Sequence, residues 1–278
     1  MRVFLTGGTG FIGSYVLKKL LEEGHEVVAH RRNEFSKPKI KISNDINWLT
    51  KSIREILPED FCGIDILVHL ASHSVQYPYD VLANNILYNV IEPLELLGKA
   101  VEGGVRNFVI AGSCFEYGTA GERYDFIPAD APLEPTNDYA TSKAMSFLAF
   151  KQFALNHKIN LSYQRIFQAF GEGQPETRLW PSLKTASIQN RSVDLTLGEQ
   201  VRDFVPVEEV AESLIKASLK IIGFENQGII VENIGSGRAQ SIRQFVEYWW
   251  NMWGSKGQLK FGTIPYRDNE VMRFVPKI

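Results

Sequence analysis

Cysteine is scarce in this chain, which has two, Cys62 and Cys114, among 278 residues. Two isolated cysteines do not make the disulfide framework of a secreted domain and favour a reducing compartment, so we expect a cytoplasmic protein. The five histidines are scattered, and neither they nor the cysteines have the spacing of metal ligands. The sequence therefore predicts no metal site.

Long apolar segments and an excess of one charge are also lacking. No apolar run approaches the ~20 residues that cross a bilayer, and the first residues resemble a strand rather than a signal peptide, so we expect no membrane association. The 30 basic and 32 acidic residues give a formal net charge of −2, which provides no basic footprint for nucleic acid. The 44% hydrophobic content is sufficient for one large core or for one core with a smaller lobe.

A glycine-rich segment follows the first strand-like run. The chain opens Met1-Arg-Val-Phe-Leu-Thr-Gly7-Gly8-Thr-Gly10-Phe-Ile-Gly13, and a helical pattern follows. Glycine lets the backbone approach a pyrophosphate, and the helix N-terminus offers free N–H groups and a partial positive charge to that anion. An ordinary glycine-rich turn is the alternative, but the order of strand, glycines and helix favours dinucleotide binding. The expected contact residues are Gly7, Gly10, Phe11, Ile12 and Gly13.

Tyr139-Ala-Thr-Ser-Lys143 is the second chemical signal, because its tyrosine and lysine lie one turn apart on a predicted helix. Hydride transfer to a carbonyl leaves an alkoxide that must be protonated. A phenol, whose pKa is ordinarily about 10, serves near neutral pH when a neighbouring positive charge lowers that pKa. The spacing is common by chance, so its catalytic interpretation depends on the dinucleotide motif upstream.

Strand-like and helix-like patterns alternate through the first two-thirds of the chain. This alternation predicts an α/β protein with a doubly wound parallel sheet, the Rossmann fold, with helices on both faces. The predicted strands are Val3–Leu5, Glu26–Ala29, Lys39–Ile42, Ile64–Leu70, Asn107–Ala111 and Asn160–Phe167, and the predicted helices are 11–23, 48–57, 78–102 and 138–157. Shorter elements follow. We therefore expect a dinucleotide-binding domain over 1–170 and a smaller, mainly substrate-binding C-terminal lobe over 171–278, from which some segments return to the sheet.

Further motifs follow these two in order along the chain. They are His69-Leu-Ala-Ser72, Asn89-Val-Ile-Glu-Pro-Leu-Glu-Leu-Leu97, Gly112-Ser113-Cys-Phe-Glu-Tyr-Gly118, Arg165-Ile-Phe-Gln168-Ala-Phe-Gly171, Gln200-Val-Arg202-Asp203-Phe-Val-Pro-Val207 and Asn233-Ile-Gly-Ser-Gly237. With these segments the chain resembles the extended short-chain dehydrogenase/reductase family, and within it the nucleotide-sugar epimerases, dehydratases and ketoreductases. The resemblance covers nearly the whole chain.

The resemblance implies roles for individual residues. Ser113 would bond the substrate carbonyl oxygen, Tyr139 would donate or accept the proton, and Lys143 would hold the nicotinamide ribose and lower the pKa of Tyr139. The alternative for Ser113 is a turn residue that bonds its own backbone. The cofactor contacts implied beyond the glycine segment are Leu70, Ala71, Ser72, Asn89, Tyr139 and Lys143. Many relatives pair the helices equivalent to 78–102 and 138–157 in a dimer, so a homodimer is expected by resemblance.

The end of the second strand departs from the NAD pattern. An acidic residue there would bond the adenosine ribose hydroxyls, whereas this chain has Arg31 and Arg32. Arginine suits a 2′-phosphate, so NADP(H) is favoured and NAD(H) is possible, with a solvated turn as the alternative for both arginines. Asp45 and Ile46, after the predicted third strand, are expected beside the adenine.

The segment after Ser113 departs from the dehydratase pattern. Nucleotide-sugar 4,6-dehydratases follow the catalytic hydroxyl with an Asp-Glu pair, whereas this chain has Cys114-Phe115, so dehydration is not expected. Members that epimerise at C3 and C5 have a cysteine one position later, and Cys114 is therefore interpreted as a packing residue. Gln168 stands where the family usually has Asn, which preserves an amide but lengthens it.

Arginines in two later segments are candidate ligands for a nucleotide pyrophosphate. Arg202 matches its family motif, and Arg178 is a weaker candidate from the variable loop. An ion pair with Asp203 or Glu199 is the alternative for Arg202. The predicted substrate contacts are Ser113, Cys114, Phe115, Gln168, Arg178 and Arg202.

The reaction expected from these motifs is NADPH-dependent reduction of a nucleotide-linked 4-keto-6-deoxyhexose in deoxysugar biosynthesis. NADPH favours a net reduction, since epimerases of the family usually retain NAD⁺. A nucleotide-sugar 4-epimerase with bound NAD is the alternative within the same class. A reductase of non-sugar carbonyls and a non-catalytic NADP(H) sensor are further alternatives.

Overall fold

The computed structural model describes residues 1–43, 45–224 and 227–278. In chain order, the strands of this described part are β1 Arg2–Thr6, β2 Glu26–Arg31, β3 Asn47–Thr50, β4 Ile66–His69, β5 Asn107–Ser113, β6 Asn160–Ile166, β7 Gln168–Phe170, β8 Val193–Leu195, β9 Val201–Arg202, β10 Phe204–Pro206, β11 Ile229–Ile234, β12 Gln240–Ser241, β13 Leu259–Phe261 and β14 Arg273–Phe274. The α-helices are α1 Phe11–Glu22, α2 Leu82–Ile86, α3 Glu92–Glu102, α4 Asp138–His157, α5 Leu179–Ile188, α6 Val207–Ile222 and α7 Ile242–Met252, with a π-helical segment at Leu87–Ile91.

The largest sheet has the strand order β11-β6-β5-β4-β1-β2-β3, and all neighbouring strands are parallel. Its strands are strongly apolar because helices cover both faces, α1 and α6 on one and α3 and α4 on the other. The chain order reverses between β1 and β4, which opens a crevice at the carboxyl ends of the strands. This arrangement confirms the predicted doubly wound α/β fold.

Helix α4 carries the Tyr-x-x-x-Lys motif and begins and ends where the sequence predicted. The Asn137 side chain accepts a hydrogen bond from the Ala140 N–H at 2.9 Å and thereby caps the first turn. Lys158, with φ of +51°, ends the helix in the left-handed region. The cap places Tyr139 in the first turn and Lys143 in the next.

The third strand differs from the prediction. Lys39–Ile42 alternates polar and apolar residues as a strand would, yet it lies outside the sheet, and β3 is formed by Asn47–Thr50. The predicted helix over 48–57 is also wrong, since that segment contains β3 and a 3₁₀ turn at Ile53–Glu55. Pairing with β2 at the sheet edge decides the assignment, because long-range pairing overrides a short local pattern.

Residues after 170 contribute to two parts of the molecule. Strand β11 extends the large sheet beside β6, and α6 packs beneath that sheet. Helices α5 and α7 instead pack on each other and on β8 through Leu183, Val246 and Trp250. Small two- and three-stranded sheets complete this half within the described part of the chain. The domain boundary at 170/171 stays a prediction.

Candidate active site

A cleft of about 1910 Å³ runs along the carboxyl ends of the large sheet. It extends from the glycine turn after β1, past the ends of β2, β4 and β5, to α5 and the small sheets of the C-terminal half. The predicted site residues line this cleft with three exceptions, Asp45, Ile46 and Asn89. Residues far apart in the sequence, such as Gly10 and Arg202, therefore line one continuous space. In doubly wound sheets ligands bind in such a crevice at the carboxyl ends of the strands.

The turn between β1 and α1 requires glycine, because a side chain at either of two positions would collide with the backbone. Gly7 has φ of +75°, and a Cβ there would lie 2.6 Å from the Leu70 carbonyl carbon. A Cβ at Gly13 would collide with the Gly7 carbonyl oxygen. The turn therefore packs closely and presents the N-terminus of α1, which begins at Phe11, to the cleft. Exposed N–H groups in such a cradle fit the pyrophosphate of a dinucleotide.

Two arginines border the cleft at the end of β2. The Arg31 Nε donates to the Thr50 hydroxyl at 2.8 Å, and its guanidinium lies 4.8 Å from the centroid of the Trp48 ring. Arg32 is exposed, and Lys37 lines the same part of the cleft. This end of the cleft is therefore positively charged, as a phosphate-bearing ribose would require.

The corrected position of β3 changes which residues border the adenosine end. Asp45 and Ile46 precede β3 rather than follow it, and Ile46 packs against the hydrophobic core. Ser52 and Ile53, which follow β3, line the cleft instead. The sequence analysis missed these two residues because it took the strand from the alternating segment upstream.

Asn89 lies behind the cleft wall rather than on it. It is 3% exposed, its Nδ2 donates to the Ser142 hydroxyl at 2.9 Å, and its Oδ1 accepts from the His73 N–H at 2.7 Å. Leu70, Ala71 and Ser72 do line the cleft. Asn89 therefore joins the loop after β4 to helix α4, while its predicted contact with the cofactor stays a prediction.

Ser113, Tyr139 and Lys143 converge on one wall of the cleft. Ser113 is the last residue of β5, and all three side chains are largely buried. The Ser113 and Ser72 side chains lie near the Tyr139 hydroxyl and act to lower its pKa, and the Lys143 Nζ donates to the Ala111 carbonyl at 2.8 Å. These are the groups that proton transfer to a carbonyl oxygen requires.

The pKa of Tyr139 differs from the expectation. Burial raises it to about 12, although the neighbouring Ser113 and Ser72 side chains act in the opposite direction. Burial also lowers the pKa of the Lys143 ammonium, which bonds the Ala111 carbonyl rather than the phenol. The predicted lowering by Lys143 is absent because desolvation dominates. At neutral pH Tyr139 is therefore a neutral phenol, the form that donates a proton.

An aromatic wall surrounds the Tyr139 ring. Tyr79 stacks on it at a centroid distance of 5.7 Å, and Phe115 meets it edge-on at 6.5 Å. Phe274, near the end of the chain, packs edge-on against Phe115 at 5.7 Å. Cys114 is buried in the same cluster, and burial raises the pKa of its thiol to about 12, so the thiol stays protonated. This part of the cleft is apolar except for the converging hydroxyl groups.

Arg202 is engaged by a partner that the sequence analysis did not name. Its Nη2 donates to the Glu270 Oε1 at 2.7 Å and to the Val271 carbonyl at 2.7 Å. Asp203 instead accepts hydrogen bonds from Ser236 and Arg238. Arg202 is therefore ion-paired at the cleft, as the alternative prediction stated, but the predicted partners, Asp203 and Glu199, are wrong.

Two further arginines border the cleft near Arg202. The Arg178 guanidinium donates to the Val75 carbonyl, and the Arg267 guanidinium lies 4.5 Å from the centroid of the Tyr77 ring. Arg267 was missed, because a lone arginine in a polar segment is a weak signal until the fold places it at a cleft. Gln168 lines the cleft at the start of β7. Three arginine side chains thus border the half of the cleft opposite the glycine turn.

The described residues contain no cluster of three or more His, Cys, Asp or Glu side chains arranged to hold a metal ion. Within 1–43, 45–224 and 227–278, no helix is both long and apolar enough to cross a bilayer.

Comparison with known proteins assigns the family. Residues 3–231 match the model of the NAD dependent epimerase/dehydratase family, so the chain belongs to that family. The resemblance to the extended short-chain dehydrogenase/reductase group, inferred from the motifs, is confirmed.

Individual relatives cover nearly the whole chain. The CDP-abequose synthase of Salmonella typhimurium is 28% identical over 279 residues, which span 97% of this chain and 87% of the relative. The dTDP-6-deoxy-L-talose 4-dehydrogenase (NAD(+)) of Aggregatibacter actinomycetemcomitans is 27% identical over 281 residues and is matched over 98% of each chain. The solved structure of TunA, an NAD dependent NDP-hexosamine 5,6-dehydratase involved in tunicamycin biosynthesis, has a TM-score of 0.86 at 25% identity over 100% of this chain and 89% of that chain.

Proposed function

We propose that this protein uses NADPH to reduce a nucleotide-linked 4-keto-6-deoxyhexose, as a nucleotide-sugar 4-ketoreductase. The observation that carries the proposal is the convergence of Ser113, Tyr139 and Lys143 in a cleft that also contains the glycine turn. One continuous cleft of this size accommodates a dinucleotide and an activated sugar together.

Each of the three residues has a distinct task in the proposed reaction. Bound NADPH would supply the hydride. Tyr139, neutral at physiological pH, would donate its hydroxyl proton to the developing alkoxide, and Ser113 would hold the same oxygen. The Lys143 ammonium, oriented by the Ala111 carbonyl, would supply positive charge beside them.

The preference for NADPH rests on the basic end of the cleft. Arg31 and Arg32 occupy the position where an acidic residue would bond ribose hydroxyls, and Lys37 adds charge nearby. The family description and the name of the 27% identical dehydrogenase both specify NAD. The preference is therefore a proposal about this chain rather than a property carried over from its relatives.

The apolar wall around Tyr139 supports a 6-deoxy sugar. Tyr79, Phe115 and Phe274 line this part of the cleft with aromatic rings. Burial of a sugar methyl group against these rings is favourable, whereas a buried hydroxymethyl group would find no hydrogen-bond partner on them. Cys114 and Phe115 offer no acid–base pair for elimination of water, since the thiol is protonated and the neighbouring side chain is a hydrocarbon. One relative named above acts, by its name, at position 4 of a dTDP-6-deoxy sugar.

Arginines in the other half of the cleft support a nucleotide-linked substrate. Arg202 is buried at the cleft wall and is paired with Glu270. The Arg267 guanidinium stacks on Tyr77, and its edge is more available than that of Arg202 to bind a ligand. Arginine binds diphosphates in bidentate geometry. We therefore assign Arg267, together with Arg178 and Arg202, to the pyrophosphate half of the substrate.

A 4-epimerase is the second candidate, because the family includes epimerases and such a reaction would use the same three residues. The basic residues at the carboxyl end of β2 favour the reductase.

We also propose that the protein is a cytoplasmic homodimer, in which the helices of 82–102 and 138–157 pair with those of the second copy. Exposed apolar side chains on these helices support that pairing, namely Tyr88, Ile91, Met145 and Leu148.

The test is to mix purified protein with NADPH and a panel of nucleotide-linked 4-keto-6-deoxyhexoses. We expect the nicotinamide absorbance to fall in step with the amount of reduced sugar separated by chromatography. Interconversion of two nucleotide-hexoses at constant absorbance would assign the 4-epimerase instead. Tight binding of NADPH with neither change would indicate a sensor.

A further inference from the structure

A buried ion pair adjoins the candidate catalytic residues. Glu116 is fully buried, Arg165 is 1% exposed, and the Arg165 Nε donates to the Glu116 Oε2 at 2.7 Å. Replacing a buried pair by well-packed apolar residues is often neutral or stabilising, so stability alone does not account for it. Neither residue has a role in the proton transfer proposed above.

The second carboxylate oxygen of Glu116 joins two catalytic elements. Its Oε1 accepts from the Ser113 N–H at 2.7 Å and from the Tyr163 hydroxyl at 2.8 Å. The same hydroxyl lies 3.2 Å from the Lys143 carbonyl oxygen, so its single proton is shared between the two acceptors, with the shorter contact to Glu116. One oxygen therefore ties the last residue of β5 to the turn of α4 that carries Lys143.

Arg165 holds the carboxylate in a fixed orientation. Its Nη1 donates to the Ala129 carbonyl at 2.7 Å, and its guanidinium lies 4.5 Å from the Phe147 ring centroid. The fit around Glu116 is close, since a Cβ at Gly112 would lie 2.8 Å from the Glu116 Oε1. Few alternative positions are open to either charged group.

We propose that Glu116 and Arg165 are positioning residues, which set the distance between Ser113 on β5 and the Tyr139–Lys143 turn of α4 through the shared Tyr163 hydroxyl. The inference rests on the function proposed for those three residues. Ser113 and Lys143 come from separate elements, and a shift of ~1 Å between such groups is costly to catalysis.

The charge of Glu116 adds an electrostatic effect at Lys143. Burial lowers the pKa of that ammonium, and the Glu116 carboxylate opposes the effect. The Ala111 carbonyl and His69 also face Lys143, but His69 is neutral because burial lowers its pKa to about 3. Glu116 is thus the anion that helps to keep Lys143 protonated.

Two variants separate these contributions. Tyr163→Phe removes the bridging hydroxyl and keeps both charges, and we expect kcat to fall by about tenfold with KM within twofold of the unmodified protein. Glu116→Gln keeps an oxygen for the Ser113 N–H and removes the charge. We expect it to move the Lys143 titration at least one pH unit lower, followed by NMR of ¹³Cε-labelled lysine and assigned with Lys143→Arg.

Phe61→Leu is the matched control for lost stability. Phe61 packs on Phe4 at 4.4 Å, just before the amino end of β4 and away from the cleft. We expect a lower melting temperature, with kcat and the Lys143 titration unchanged. If Glu116→Gln does not fold, Tyr163→Phe decides the positioning role.

The inference is overturned if Tyr163→Phe retains more than half of kcat, or if a folded Glu116→Gln leaves the Lys143 titration unmoved. The titration needs neither substrate nor cofactor. A protein that turns over no keto-sugar would contradict the proposed function, whereas an unmoved Lys143 titration in Glu116→Gln would contradict the effect of Glu116 on Lys143 whatever the substrate.

Discussion

Tyr79 lies parallel to Tyr139, with ring centroids 5.7 Å apart and 16° between the ring planes. The two tyrosines come from different elements, since Tyr79 belongs to the loop after β4 and Tyr139 to the first turn of α4. That loop is held by Asp80, whose carboxylate pairs with the His73 Nε2 at 2.8 Å and whose N–H donates to Ser74. The loop therefore helps to orient the candidate proton donor and borders the space beside it.

Removing the Tyr139 hydroxyl should separate proton transfer from binding. In Tyr139→Phe the ring can still stack on Tyr79, so we expect the affinity for NADPH to survive while kcat falls by about 10² or more. Lys143→Met should weaken both properties, because Lys143 is expected to hold the cofactor as well. Stopped-flow turnover and fluorescence titration measure the two quantities. Retention of most of kcat in Tyr139→Phe would show that another group donates the proton.

The charge at the end of β2 should decide cofactor choice. We expect NADPH to bind at least tenfold more tightly than NADH, which corresponds to about 1.4 kcal/mol. Arg31→Asp should narrow or reverse this difference, because it places a carboxylate where a 2′-phosphate would lie. Nicotinamide fluorescence measures both dissociation constants. Arg106→Asp, which makes the same change of charge at an exposed position outside the cleft, just before β5, is the control. Equal affinities in the unmodified protein would contradict the assignment.

Tyr79 should contribute to selection of a 6-deoxy sugar. Tyr79→Ala removes the stacked ring and opens the apolar wall, so we expect the preference for 6-deoxy over 6-hydroxy substrates in kcat/KM to fall by about tenfold. Tyr79→Phe keeps the ring and should retain the preference. Competition assays with paired substrates measure the ratio. An unchanged ratio in Tyr79→Ala would place the sugar elsewhere in the cleft.

Arg267 should act on substrate binding rather than on chemistry. We expect Arg267→Gln to raise KM for the nucleotide-linked substrate by about tenfold with kcat little changed, since the pyrophosphate is remote from the reacting carbonyl. Arg273→Gln, which loses only bonds to the Asp125 carbonyl, is the control at a nearby position. Steady-state kinetics at saturating NADPH distinguish the two. A fall in kcat with KM constant would assign Arg267 to another role.

The fold class and the central part of the site followed from the sequence, because both depend on short-range patterns. The glycine motif requires a turn that closes within a few residues, and the spacing of Tyr139 and Lys143 is one helical turn. Helices α1 and α4 lie within a residue of where the sequence predicted them, at 11–23 and 138–157. Such signals are local, so they can be recognised in the sequence without knowledge of the tertiary structure.

Contacts between distant segments could be decided only by the tertiary structure. Pairing with β2 moved the third strand to Asn47–Thr50 and placed Ser52 and Ile53 at the cleft in place of Asp45 and Ile46. Burial raised the pKa of Tyr139 to about 12, against the lowering expected from Lys143 alone. The partner of Arg202 proved to be Glu270, 68 residues further along the chain. Desolvation and long-range pairing depend on the whole packed chain, and no local spacing encodes them.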